Sequence, residues 1–299
     1  MQQTGTECEF DSSDSWVILS PIEQSIKRKI EAVGTPLKDW DIQINYGIKT
    51  GYNDAFIINT EKRDEILSNC QSEDERTRTA ELIRPILRGR DIKRYGYNWA
   101  GLYLIATFPS RHYDIEKYPA VKNYLLSFGI ERLEQTGKEH NVNGEKIKAR
   151  KKTNNKWFET QDSISYWEDF SKPKIIWKRI GSILRFSYDN MEHLGLDSTC
   201  FATGVNIEFV CCVLNSQMGH YLLKDSPKTG TGDLLISVQA IEPIRIPHID
   251  WETNMNFKKL LMDLIKDNSL AKEQEISRKV FELYDLSPNE QSYIEKNFT

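Results

Sequence analysis

The densest cluster of chemically capable side chains alternates basic with aromatic residues in RPILRGRDIKRYGYNW, residues 84–99. An arginine guanidinium can bind a phosphate or donate two parallel hydrogen bonds to O6 and N7 of guanine. Asp91 can orient a neighbouring arginine or accept from a cytosine amino group. The alternative is a surface turn whose arginines pair with acidic neighbours. The segment predicts a DNA contact made by Arg88, Arg90, Asp91, Lys93 and Arg94.

Two further basic segments follow. In KPKIIWKRIGS (172–182), alternation along a strand predicts a basic stripe that faces a duplex. Trp177 on this strand is favoured as a core residue over a base-stacking one. The segment GEKIKARKKTNNK (144–156) predicts a mobile loop that contacts phosphates without reading sequence. The candidate DNA-binding residues here are Lys151, Lys152, Lys174, Lys178, Arg179 and Ser182.

Two glycine-containing stretches test for nucleotide binding. GIKTGYNDAFII (47–58) lacks the first glycine of a Walker A loop and continues as a strand, which excludes an ATPase loop. It predicts a hairpin that displays Lys49, Thr50, Tyr52 and Asn53, or alternatively a plain tight turn. Gly230-Thr231-Gly232 lacks the rest of a dinucleotide fingerprint. It predicts a flexible loop with Lys228 and Thr229 at its rim.

No motif supports an active site. The five histidines lie in unrelated contexts, without a nucleophile elbow or metal-ligand spacing, and the acidic residues form no recognisable nuclease constellation. The five cysteines include no C-x-x-C pair, which favours a reduced compartment. Neither a secretory signal nor a membrane-spanning apolar run is present, so a cytoplasmic location and no membrane partner are expected.

Charge is distributed unevenly along the 299 residues. Residues 1–83 carry a net charge of −7, residues 84–187 carry +10, and residues 188–299 carry −7. A basic middle third inside an acidic frame favours a face that binds a polyanion. The alternative is a chance cluster of solvated lysines.

The elements that position these residues are a mixture of helices and strands. Ser20, Pro21 and Glu23 predict a capped helix that ends at Gly34. Strands are predicted at 39–48, 55–59, 102–108, 174–180 and 183–189, and in LLISVQA and IRIPHI; a helix is predicted at 206–224. The strands 174–180 and 183–189 are predicted to pair across a turn at Gly181-Ser182. Two or three amphipathic helices follow Pro247, the last with its own capping box from Ser287 to Glu290. The predicted domains are a flexible segment 1–15, an α/β body 16–250 and a helical segment 251–299.

In order along the chain, INYGIKTGYNDAFII, IRPILRGRDIKRY, KPKIIW, DSTCFAT, CCVLNSQMGHYLL and PIRIP resemble the TaqI-like C-terminal specificity domain. That domain is the target-recognition part of adenine-N6 DNA methyltransferases and of fused type IIG restriction–modification enzymes. The resemblance covers about residues 16–250. It implies an α+β fold, a mixed-sheet specificity domain with a C-terminal helical hairpin, and double-stranded DNA as partner. It places Lys49 to Asn53, Arg88 to Arg94 and Lys174 to Ser182 at the DNA face.

The resemblance also implies a catalytic half outside this chain. In the family, a methyltransferase domain flips the adenine and uses S-adenosylmethionine. The N-P-P-Y and F-x-G-x-G motifs of that half do not occur here. The chain is therefore expected to hold no cofactor, to have no activity alone, and to act with a methyltransferase domain or subunit. S-adenosylmethionine and, as an optional second cofactor, Mg²⁺ belong to that half. The alternatives are a protein-interaction scaffold acting through the C-terminal helices and a nuclease with a dispersed site.

Overall fold

The computed structural model describes residues 19–298, so the predicted flexible segment 1–15 lies outside the described residues. Two compact units are present. We call Gln43–Ile207 the central unit, and the described parts of Met1–Ile42 and Glu208–Thr299 the terminal unit. The predicted domain boundaries at residues 15 and 250 stay a prediction.

Helices and strands are interspersed along the described residues. The helices are α1 (Pro21–Val33), α2 (Asn53–Phe56), α3 (Thr60–Ser68), α4 (Glu73–Leu82), α5 (Pro119–Leu126), α6 (Ile130–Leu133), α7 (Ile207–Asn215), α8 (Gln217–Leu222), α9 (Val238–Ile241), α10 (Trp251–Asp267), α11 (Leu270–Leu283) and α12 (Pro288–Asn297). Short 3₁₀ helices span Leu37–Asp39, Pro109–Arg111, Ile115–Lys117 and Trp167–Ser171.

The strands are mostly short. They are β1 (Gly34–Pro36), β2 (Ile42–Tyr46), β3 (Ile57–Asn59), β4 (Ile83–Leu87), β5 (Leu102–Ile105), β6 (Glu139–Val142), β7 (Glu145–Lys148), β8 (Lys174–Lys178), β9 (Ile180–Gly181), β10 (Phe186–Asp189), β11 (Leu194–Gly195), β12 (Thr199–Gly204), β13 (Leu234–Leu235) and β14 (Arg245–Pro247).

Two four-stranded sheets and one hairpin build the central unit. The first sheet has the order β10-β8-β12-β2, and β8 runs antiparallel to both of its neighbours. The second has the order β11-β4-β5-β3, in which the β11–β4 pair is parallel and the others antiparallel. Phe170 and Phe201 pack in the core with ring centroids 4.3 Å apart. The predicted α+β class with mixed sheets is confirmed.

The terminal unit is mainly helical. The predicted capping box begins α1: Ser20 N–H donates to Glu23 Oε2 at 2.9 Å, and Glu23 N–H donates back to Ser20 Oγ at 3.4 Å. A second predicted capping box, from Ser287 to Glu290, begins α12. Strands β1 and β14 pair antiparallel. After Pro247 the predicted amphipathic helices are α10, α11 and α12. No described helix is both long and apolar enough to span a bilayer.

Four of the predicted elements are wrong. The segment 144–156, expected as a mobile loop, contains strand β7 and the buried Arg150. Residues 47–58 form no hairpin, because β2 lies beside β12 and β3 pairs with β5. Thr50 instead donates to Asn53 Oδ1 at 2.6 Å and accepts from Tyr52 N–H, which closes a turn into the short helix α2. The helix predicted at 206–224 is two helices separated at Ser216, whose side chain caps α8. In LLISVQA, only Leu234–Leu235 is a strand, and α9 follows.

Strand β8 does not form the basic stripe that was expected from the sequence. The pairing of β8 with β10 across the predicted turn is confirmed, with Trp177 opposite Phe186, and Trp177 is a core residue. However, β8 lies inside its sheet with both faces covered, and Lys174 is completely buried. The prediction that Lys174 lies on a surface stripe is therefore wrong, because its ammonium forms an ion pair with Asp189 at 2.6 Å instead.

Candidate nucleic-acid interface

One loop, residues 195–199, holds together segments of the central unit that are distant in sequence; we call it the central loop. Gly47 N–H donates to Thr199 O at 2.9 Å, and Ile48 N–H donates to Gly195 O at 2.7 Å. A Cβ built on Gly47 would lie 1.9 Å from Leu196 O, so only glycine permits this approach. The backbone of 47–48 is thereby fixed against the central loop.

The central loop also fixes two basic segments. Gly89 N–H donates to Ser198 Oγ at 3.1 Å, and Arg179 N–H donates to Ser198 O at 3.0 Å. Leu196 N–H donates to Leu87 O at 3.1 Å. Side chains of residues 49, 88–90 and 178–179 therefore lie around one loop, although they come from three separate parts of the sequence.

A recess of about 580 Å³ lies on one side of the central loop. It carries charges of both signs, and we call it the balanced recess. Its polar side chains include Lys49, Gln161, Asp162, Tyr166, Arg179 and Asp197. Burial raises the pKa of Asp162, which the neighbouring Lys49 opposes. Two cations and two carboxylates present both donors and acceptors to a ligand.

A second recess, of about 470 Å³, is lined in part by Leu196 and Ser198 of the central loop. Arg88, Arg90 and Lys178 line it together with a single carboxylate, Asp54, so we call it the basic recess. Arg90 and Lys178 are exposed. An excess of cations in a concave surface attracts a phosphate backbone.

Arg88 and Asp91 pair with each other within the basic segment 84–99. Arg88 Nε donates to Asp91 Oδ2 at 3.0 Å and Nη2 donates to Oδ1 at 2.7 Å. The backbone N–H of Arg88 adds a third bond to Oδ2 at 2.8 Å. Burial alone would raise the pKa of Asp91, but these bonds from Arg88 hold it below its ordinary value. Asp91 is buried and orients Arg88.

The buried side chain of Arg150 supports one wall of the balanced recess. Arg150 is 4% exposed, and its guanidinium donates to the carbonyl oxygens of Leu133, Thr50, Glu159 and Trp157 at 2.6–2.8 Å. Burial lowers the pKa of Arg150 to about 10, which the nearby Glu159 carboxylate opposes. These bonds tie the turn at residue 50 to segment 157–159.

A second network of buried hydrogen bonds, centred on Asp189, lies just before the central loop in the sequence. Asp189 accepts from Lys174 Nζ at 2.6 Å, from Tyr97 OH at 2.9 Å, and from the backbone N–H of His193 at 3.0 Å. Its Oδ1 lies 2.9 Å from His193 Nδ1. Burial would raise the pKa of Asp189, yet these partners hold it well below its ordinary value. The network fixes the chain that leads into the central loop.

The structure brings together some predicted site residues and not others. Those that line the two recesses are Lys49, Asn53, Arg88, Arg90, Lys178 and Arg179. Those that are buried are Thr50, Asp91 and Lys174. Tyr52 is half-buried and packs edge-on against Phe128 at 5.8 Å. Outside the recess linings lie Lys93, Arg94, Lys151, Lys152 and Ser182 in the central unit and Lys228 and Thr229 in the terminal unit. Their DNA contacts stay a prediction.

Sequence reasoning missed the uncharged and acidic part of this surface. Gln161, Asp162, Asp197 and Ser198 line the recesses without belonging to any basic cluster. The turn-forming run GLDST, which follows the predicted strand 183–189, was the available signal for Asp197 and Ser198. Among residues 19–298, no group of three or more His, Cys, Asp or Glu side chains is arranged to hold a metal ion.

Comparisons with known proteins give one family model and solved structures of similar fold. A family model described as the TaqI-like C-terminal specificity domain matches residues 84–244. The solved type IIL restriction–modification enzyme MmeI, in complex with DNA, is 11% identical with a TM-score of 0.56, over 89% of this chain and 36% of that one. The type IIG restriction endonuclease BpuSI is 14% identical with a TM-score of 0.53, over 92% and 31%.

The likeness to these two structures shows a shared fold. This chain spans about a third of the length of each of them. No curated protein gave a significant match.

Proposed function

Because the chain belongs to the family of TaqI-like C-terminal specificity domains, we propose that it is the DNA-recognition module of a type II restriction–modification enzyme or an adenine-N6 DNA methyltransferase. Its ligand is double-stranded DNA. The surface that binds it is formed by the two recesses that share the central loop.

One observation carries this proposal. Lys49, Arg90, Lys178 and Arg179 come from three separate segments, and hydrogen bonds to the central loop gather those segments on one surface. The basic recess suits phosphate, because Arg90 and Lys178 exceed its one carboxylate, Asp54, even with Arg88 paired to Asp91. The balanced recess, with donors and acceptors together, suits the edges of bases, which present both. Phosphate contacts position the duplex, and base contacts select the sequence.

Catalysis belongs to another part of the enzyme in this proposal. The chain has about a third of the length of the two restriction enzymes that share its fold. We place S-adenosylmethionine, and Mg²⁺ where the parent enzyme cleaves DNA, in a methyltransferase domain or subunit that completes the DNA cleft.

The test is binding of the full chain to a random-sequence duplex pool, measured by fluorescence anisotropy across a salt series, followed by sequencing of the retained fraction. We expect affinity to fall steeply with salt because phosphate contacts release counterions. Lys178→Ala should weaken binding and reduce the salt slope by about 1. Lys266→Ala, which removes an exposed charge from α10 in the terminal unit, is the matched control.

Two outcomes distinguish this proposal from its alternative. Enrichment of one short motif supports a module that reads DNA. If the chain fails to bind any duplex even at low salt, the proposal is wrong and the protein-interaction scaffold replaces it.

A further inference from the structure

The geometry points to Gln161 as a base-reading residue, and we propose that its carboxamide recognises an adenine in the major groove. This inference rests on the proposed function and names one position of its specificity. Gln161 belongs to none of the basic clusters that mark the rest of the surface.

The backbone at Gln161 is held on both sides. Its N–H donates to Lys49 O at 3.1 Å, and its carbonyl oxygen accepts from Asn155 Nδ2 at 2.9 Å. Lys49 in turn is followed by Thr50, whose carbonyl oxygen accepts from the buried guanidinium of Arg150 at 2.8 Å. A side chain on such a fixed backbone starts from a defined position, which is what precise recognition requires.

The side chain of Gln161, by contrast, is available to a ligand. It is half-buried in the lining of the balanced recess, and within residues 19–298 its carboxamide has no hydrogen-bond partner in the protein. The carboxamide oxygen lies over Gly51, where an added Cβ would be 3.1 Å from Oε1. Gly51 has a φ of +80°, so glycine both fits the turn and leaves room for the carboxamide.

The chemistry of a carboxamide selects one base. It offers one donor and one acceptor side by side, which matches N7 and the N6 amino group of adenine in the major groove. Guanine presents two acceptors at the same edge, and cytosine presents a donor there. The neighbouring cations Lys49 and Arg179 are suited to hold the duplex close enough for that contact.

Gln161→Ala and Gln161→Glu test the proposal when both are compared with the unaltered full chain by selection from the random duplex pool and sequencing. The unaltered chain should enrich a motif that contains an adenine, and Gln161→Ala should lower the preference for that adenine by about 10-fold. Gln161→Glu should move the preference at that position to cytosine, because a carboxylate accepts from the cytosine amino group. The salt slope should stay unchanged, since no phosphate contact is removed.

Gln43→Ala is the matched control, because Gln43 is an exposed glutamine of the central unit outside both recesses. It should leave the motif unchanged. Circular dichroism and thermal melting establish that each variant is folded. Gln161→Glu is nearly isosteric, so it decides the question if the alanine variant does not fold.

Failure of the inference differs from failure of the proposed function. If the unaltered chain binds no DNA, both fail. If it enriches a motif that both Gln161 variants retain, Gln161 is only a wall of the recess and the inference fails alone. Salt-sensitive binding without any enrichment also overturns it, because a base-reading side chain in this chain must impose a preference.

Discussion

The guanidinium of Arg88 and the carboxylate of Asp91 meet side by side, with Nε–Oδ2 at 3.0 Å and Nη2–Oδ1 at 2.7 Å. This geometry uses the same fork that would otherwise bind guanine O6 and N7. Arg90, two residues further along the chain, is exposed. Arg88 therefore orients the tip of this segment, and Arg90 is the residue that faces a ligand.

Arg88→Ala and Arg90→Ala should therefore differ. Without the Arg88 guanidinium, the buried carboxylate of Asp91 keeps only its bond from the backbone N–H of residue 88, which should lower the free energy of unfolding by about 2 kcal/mol. Arg90→Ala should leave the melting temperature unchanged, weaken DNA binding and reduce the salt slope by about 1. Thermal melting and anisotropy on both variants check this, and equal melting temperatures would contradict it.

Arg150→Ala should be among the most damaging substitutions in the central unit. It removes the guanidinium donor from the carbonyl oxygens of Leu133, Thr50 and Trp157, and one of the two donors from that of Glu159, which also accepts from Gln135. We expect unfolding to become easier by about 4 kcal/mol. Arg150→Lys should recover only part of this, because one ammonium cannot reach all four oxygens. Denaturant melts measure the loss.

The control for Arg150 is Arg76→Ala, which removes an exposed arginine from α4 and should change stability little. DNA selection adds an independent measurement. Under conditions where Arg150→Ala is still folded, it should keep its salt-sensitive binding but lose motif enrichment, since Thr50 and Glu159 no longer share a support. Intact enrichment would show that the recess does not depend on Arg150.

Local signals in the sequence were enough for much of the fold. The capping boxes at Ser20 and Ser287 and the turn between β8 and β10 each lie within a few residues, and all three were predicted. The pairing of β2 with β12 joins segments more than 150 residues apart, for which no local pattern exists. The hairpin expected at 47–58 failed for that reason.

Only the basic residues of the site could be predicted from the sequence. Basic residues are recognisable by type, so Arg90 and Lys178 were found, whereas Gln161 has no such signature. Lys174 was misplaced because its burial depends on Asp189, which neutralises it from the neighbouring strand. The register of that pair was implicit in the predicted turn, since Asp189 lies directly opposite Lys174. A cross-strand ion pair between Lys174 and Asp189 in this register implies that Lys174 is buried.

Asp189→Ala should destabilise the protein more than Lys174→Met. Removing Asp189 leaves the buried Lys174 ammonium uncompensated and deprives Tyr97 and His193 of their acceptor. The expected cost is about 3–5 kcal/mol. Lys174→Met keeps the volume apolar and leaves Asp189 with its other donors, so a smaller loss is expected. Denaturant melts at neutral pH rank the two variants, and the reverse order would contradict this account.

Glu290 should make the terminal unit sensitive to acid. Burial alone would raise its pKa, but hydrogen bonds from Lys29, Ser25 and Ser287 lower it to about 2. A lowered folded-state pKa stabilises the fold above the ordinary value of 4.5, and this stability is lost as the pH falls from there towards about 2. Glu290→Gln should therefore melt below the unaltered protein at pH 7, with the difference shrinking as pH falls through that window.

Glu295→Gln, an exposed substitution on the same helix α12, is the control for Glu290 and should show a much smaller difference at any pH. Melting temperatures across pH 2–7 supply the measurement. A difference for Glu290→Gln that stayed constant down to pH 2 would mean that the carboxylate charge does not contribute.

Lys151 and Lys152 should contribute affinity without specificity. Both are exposed, and neither lines a recess, so their ammonium groups can reach phosphates but are not fixed against base edges. Replacing both with alanine should weaken binding to every duplex in the pool by a similar factor and reduce the salt slope by up to about 2. The enriched motif should be the same as that of the unaltered chain. A changed motif would place these lysines at the bases, and an unchanged affinity would place them away from the DNA.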